Sequence, residues 1–147
     1  KLKQARLLPS STPTISLELA RLYAQIGLRP RAIPLFIDYL REAPSDTDAR
    51  FQLGMAHFEE GDTRTAMETW DAVLEADSQY PPAMFYRALA LSQGGSVDQS
   101  KDLLRRAIDV LPTDNLYFGR ARELLTTLEN GGGRTGTPGT TDTTRKH

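Results

Sequence analysis

The chain has 147 residues, 39% apolar and 25% charged, which is enough to close a globular core and excludes disorder throughout. Lys and Arg number 18 against 19 Asp and Glu, a net charge of -1, so no overall field draws the protein to nucleic acid or to anionic lipid. The absence of Cys removes disulfides, thiolate metal sites and cysteine nucleophiles, and no apolar run approaches the roughly 18 residues of a membrane span.

In chain order, KLKQARLL puts Leu2, Ala5 and Leu8 on one helical face before Pro9 and Pro13 stop it. Residues 1–12 are therefore expected to be the remnant of a preceding helix and a linker, in a natural chain that extends further. A helix is predicted over Ile15–Ile26, with Ile15, Leu19, Leu22, Tyr23 and Ile26 as its apolar side and Gly27 as its stop. A second follows from Pro30 to Ala43. Pro30 suits a first helical position, Pro34 removes one backbone bond in the early turns, and Ala32, Phe36, Tyr39 and Leu40 form the apolar face.

The stretch Thr47 to Ser78 reads as two amphipathic helices joined at Glu60-Gly61-Asp62, with Leu53, Gly54, His57, Ala66, Trp70, Val73 and Leu74 at helical spacing. Neither helix hides its apolar side alone, so the unit needs neighbours. A third pair runs from Ala83 to Gln93 and from Val97 to Leu111 around Gly94-Gly95-Ser96. Asn115–Glu129 is a seventh helix, and the Gly- and Thr-rich remainder reads as a disordered tail.

One interval links these elements. Gly27, Gly61 and Gly95, then Ala32, Ala66 and Ser100, then Phe36, Trp70 and Leu104 each step by 34 residues. So do Ala20, Gly54 and Ala88, Leu40, Leu74 and Ile108, and Pro44, Ser78 and Pro112. On these residues the chain resembles the tetratricopeptide repeat (TPR) family. The resemblance implies an all-α, right-handed α-solenoid of three helix-turn-helix repeats, 13–46, 47–80 and 81–114, with a capping helix at 115–130 and a tail at 131–147. Ser16, Arg50 and Met84 stand where the family favours a large aromatic, Arg87 where Leu is more usual, and Ser78 replaces a usual Pro.

The resemblance further implies a concave groove lined by the first helix of each repeat. Its groove-facing columns here hold Leu17, Arg21 and Ala24, then Phe51, Met55, Phe58 and Glu59, then Phe85, Leu89 and Ser92. The expected partner is a protein segment, an apolar peptide or amphipathic helix, buried against Phe51, Met55, Phe85 and Leu89 and oriented by Arg21 and Glu59. The same aromatics would also serve packing alone. Family members that clamp a chaperone's C-terminal carboxylate use Lys and Asn at positions that hold Leu17, Arg21, Phe51 and Gln52 here, which argues against that mode. The alternative expectation is a structural part that associates with itself or other repeats through the ends of the stack, suggested by the start at Lys1 and by Tyr117 and Phe118.

Other constellations favour bland readings. His57 sits on a packed face, Glu59, Glu60 and Asp62 form a solvated helix end, and GGGRTGT at 131–137 lacks the Lys, strand and helix of a phosphate loop. Lys101, Arg105, Arg106, Arg120 and Arg122 are interleaved with Asp102, Asp109 and Glu123, as on ordinary charged surfaces. No enzymatic role, cofactor, metal or nucleic-acid partner is expected, and the compartment stays open.

Overall fold

The structure, a computed structural model, describes residues 12–131. The expected remnant helix at 1–8 and the tail from 132 onward lie outside the described residues. Seven helices follow one another: α1 (Thr12–Gln25), α2 (Arg29–Glu42), α3 (Thr47–Glu59), α4 (Thr63–Ala76), α5 (Pro81–Gln93), α6 (Val97–Val110) and α7 (Leu116–Gly131). No strand occurs among the described residues. The fold class is all-α, built from repeated helix hairpins of the solenoid type.

The hairpin turns explain the 34-residue interval in backbone terms. Gly27, Gly61 and Gly95 have φ of 87, 91 and 94°, the left-handed region that glycine enters without a Cβ penalty. Each turn closes with the same hydrogen bond: the amides of Leu28, Asp62 and Ser96 donate to the carbonyls of Tyr23, His57 and Leu91 at 2.8, 2.9 and 2.9 Å. That is a glycine C-terminal cap used three times. Pro34 lies inside α2, and the helix runs through it, since only one backbone bond is lost.

Two N-terminal caps were not visible in the periodicity. Asp46 accepts from the Ala49 amide at 3.1 Å and Asp62 from the Thr65 amide at 3.2 Å, satisfying donors at the starts of α3 and α4. Asp46 also accepts from the Tyr39 hydroxyl, tying α2 to the start of α3. Burial pushes the Asp46 carboxyl up, but the Tyr39 hydroxyl, the Ala49 amide and the Arg21 charge outweigh it and hold the group below its usual range. Asp62 is likewise lowered, by the side chain and then the amide of Thr65.

The chain divides into two compact units after Ala83. In the first, Leu17, Ala20, Ala32, Phe36, Leu40, Ala49 and Leu53 form one buried cluster. Beyond it Trp70 is fully buried, its Nε1 donating to the Phe51 carbonyl at 3.3 Å. A Cβ built on Gly54 would lie 2.3 Å from Trp70 Nε1 and 2.6 Å from Cδ1, so the indole occupies the space that any other residue at 54 would fill. In the second unit Ser100 replaces the Ala of its column and donates to the Ala88 carbonyl at 2.7 Å, which satisfies a buried hydroxyl. There α7 packs on α6, and Arg105 of α6 reaches Glu129 of α7 at 3.3 Å.

One expectation is corrected. Of the apolar side predicted for α1, Ile15, Leu19, Leu22 and Ile26 are 57, 37, 51 and 59% exposed and only Tyr23 packs against the buried cluster, to which Leu17 and Ala20 belong. Helical periodicity finds an apolar stripe, and the position of the neighbouring helices decides which side is covered.

Gly54→Ala is expected to lower the denaturation midpoint. Overpacking costs about 1–3 kcal/mol, more than the up to about 1 kcal/mol of helix propensity gained, and emission of Trp70, the single Trp, should shift with it. An unchanged or higher midpoint would show that the indole moves aside freely. Because the Asp46 carboxyl is depressed in the folded state, its contribution is fully present above the unfolded value of about 3.9 and is lost as pH falls through the lower folded value. Urea midpoints measured between pH 6 and pH 3 should fall less steeply in Asp46→Asn than in the parent, and equal slopes would contradict the assignment.

Candidate functional site

In the first unit the inward faces of α1 and α3 meet in a shallow cleft of about 260 Å³. Arg21, Ala24 and Gln25 come from α1 at i, i+3 and i+4, and Gln52, Met55, Ala56 and Glu59 from α3 at i, i+3, i+4 and i+7. Phe36 of α2 also lines it. Met55 and Ala24 are half-buried, so apolar atoms reach the cleft from both helices.

The polar edges are organised. Arg21 donates from Nε to Gln52 Oε1 at 3.0 Å and lies 3.9 Å from Glu18, which fixes the guanidinium between the two helices. Glu59 is 3.8 Å from Arg29, whose Nε also meets Glu60 Oε2 at 3.0 Å. Arg29 was not picked out from the sequence: Thr63 and Val97 hold its column, so no repeated signal marks it. Glu59 thus enters the site already partnered.

The other predicted groove residues divide by role. Leu17, at 8% exposure, belongs to the buried cluster of the first unit and not to an open floor. Phe51 and Phe58 are half-buried beside Trp70, with ring centroids 6.1 and 5.5 Å away, and Phe51 also meets Tyr80 at 5.8 Å. One side of each ring is therefore committed to packing. Phe85 and Leu89 lie half-buried on α5 of the second unit, where Phe85, Tyr86 and Tyr117 form a ring cluster with separations of 5.1 to 6.3 Å. Tyr117 is thus a packing residue at least in part, and burial and then Tyr86 raise its hydroxyl above the ordinary value despite Arg120.

The cleft thus combines half-buried apolar atoms of Ala24 and Met55 with one cation, Arg21, two amides, Gln25 and Gln52, and one carboxylate, Glu59. His57 is mostly buried with Nδ1 3.9 Å from Asp62, and no group of three or more His, Asp and Glu among the described residues is placed to hold a metal ion. Of the C-terminal basic residues, Arg105 pairs with Asp102 and Glu129 at 3.4 and 3.3 Å. No described helix is long and apolar enough to cross a membrane.

Comparison with known proteins agrees with this architecture. A family model described as tetratricopeptide repeat matches residues 17–81 and again 52–115. No curated protein matches significantly. Among solved structures, the first TPR of Spaghetti (RPAP3), bound to the HSP90 peptide SRMEEVD, superposes with a TM-score of 0.72 at 16% identity, covering 84% of this chain and 98% of that one. MamA gives 0.74 at 21% identity over 88% and 74%, and the Yersinia enterocolitica type III secretion translocator chaperone SycD gives 0.72 at 20% over 84% and 95%. At these identities the likeness is one of fold.

Proposed function

We propose, from the premise that this chain belongs to the tetratricopeptide repeat family, that it is a non-enzymatic interaction module that takes a segment of a partner protein against α1 and α3. The observation that carries this reading is the cleft itself, where the half-buried Met55 and Ala24 offer apolar contact beside the Arg21–Gln52 hydrogen bond. An apolar side chain of the guest loses water against Met55, whose flexible thioether adapts to its shape, and Arg21 and Gln52 meet the guest's carbonyl or carboxylate oxygens. Peptide binding by the RPAP3 domain and the chaperone role of SycD support a protein guest in general terms. Leu17 takes no direct part, because it is buried, and Phe51 and Phe58 contribute their open edges within the first unit.

The test is selection from a random-peptide display library on the folded chain. Enriched peptides should be apolar or amphipathic, and Met55→Glu should weaken them by at least about tenfold, roughly 1.4 kcal/mol, with helical circular dichroism unchanged. Arg64→Glu, on the exposed side of α4, is the control and should leave binding intact. Peptides that bind Met55→Glu as well as the parent, or a library that yields none, would overturn the assignment.

A further inference from the structure

Four of the seven large apolar side chains exposed among the described residues stand on α1: Ile15, Leu19, Leu22 and Ile26. Their 4-3-4 spacing makes one seam, the pattern by which a second helix packs along a first. The 34-residue interval sets these positions beside ones that are covered. Ala49, Leu53 and Ala56 hold the columns of Ile15, Leu19 and Leu22 in α3, at 0, 8 and 2% exposure, and Ala83 and Ala90 hold two of them in α5, at 0 and 2%. Ala49 and Leu53 share their buried cluster with Phe36 and Leu40 of α2, so there the cover is a helix of the neighbouring hairpin.

Size separates α1 from those covered columns. Helix axes approach to about 8–10 Å according to the side chains at the contact, and Ala49 and Ala56 allow the close end of that range. Ile15 and Leu22 at the same approach would overpack. The α1 seam therefore suits a helix that stands further off and brings large aliphatic side chains of its own, and α1 is itself such a helix. Its seam reads Ile-Leu-Leu-Ile in both directions, so a second copy turned about a two-fold axis sets Ile15 against Ile26 and Leu19 against Leu22. In that arrangement each helix N-terminus lies beside a C-terminus, which the helix dipoles favour. The flanks agree with it: Glu18, exposed beside the seam, comes to Gln25 of the second copy and not to another carboxylate.

We infer that a second copy of this chain covers the α1 seam, the two α1 helices packing antiparallel about a two-fold axis. Stable assemblies cover about 800 Å² per partner with roughly 20–30 residues a side. The seam supplies four apolar anchors, so the dimer is a weak one, with a Kd of about 1–100 µM. None of the four lines the α1–α3 cleft, and the dimer does not depend on a guest there.

Sedimentation of the full chain across a concentration series should show a reversible monomer–dimer equilibrium. Leu22→Glu, and independently Ile15→Lys nearer the helix start, should raise its Kd at least about tenfold with helical circular dichroism unchanged, while Leu116→Glu, at the exposed apolar side chain of α7, should leave it as in the parent. The chain has no Cys, so introduced thiols report the register. In a glutathione redox buffer, Ile15→Cys mixed with Ile26→Cys should give at least about ten times the covalent dimer of either variant alone. A strict monomer at every concentration would overturn the proposal, as would a dimer that survives both seam substitutions or is lost in Leu116→Glu. Cross-linking of Ile15→Cys alone as efficient as that of the mixture would overturn the antiparallel arrangement and the proposal with it.

Discussion

The structure depends on the contact between Trp70 and the bare backbone of Gly54. A helix hairpin of this length buries one narrow stripe, and its two helices must approach closely for that stripe to be sealed. At 54 the missing side chain lets the indole lie where a Cβ would be, and the indole N–H finds the Phe51 carbonyl at the same time. Apolar burial and polar satisfaction are thus met by one residue. Around this contact the glycine turns and the Asp46 and Asp62 caps fix where each helix starts and stops, which sets the register in which the stripes meet.

Register in turn decides which faces are left for other work. Ala20, Leu17, Phe36, Leu40, Ala49 and Leu53 are consumed by the seam between neighbouring hairpins. The rows of α1 and α3 that face away from that seam carry Arg21, Ala24, Gln52 and Met55, and there the side chains are half-exposed and chemically mixed. The Arg21–Gln52 hydrogen bond ties the α1 row to the α3 row, and Arg29 at the start of α2 pairs with Glu59 and Glu60 at the end of α3. In the proposed binding mode, a rim tied together in this way lowers the ordering cost.

Much of this was legible in the sequence because the repeat is a backbone property. Gly27, Gly61 and Gly95 mark a left-handed turn that few other residues tolerate, and Phe36, Trp70 and Leu104 mark the seam, so the interval exposes the all-α hairpin architecture directly. Burial was less legible. Ile15, Leu19, Leu22 and Ile26 have the spacing of a core stripe yet face outward, because periodicity locates a stripe without naming the element that covers it. Leu17, named from the groove-facing columns of the resemblance, is 8% exposed, and a column does not show how closely a neighbour covers it. Arg29 with Glu59 and Glu60, and Tyr39 with Asp46, join residues from different helices in pairs that do not repeat, so no interval reveals them.

Hydrogen exchange on the full chain, with and without a display-selected peptide at saturating concentration, addresses the cleft directly. Added protection confined to the amides of α1 and α3 around Arg21 to Gln25 and Gln52 to Glu59 is the result this account predicts. Protection centred on α7 or on the outer face of α2, with α1 and α3 unchanged, would contradict it.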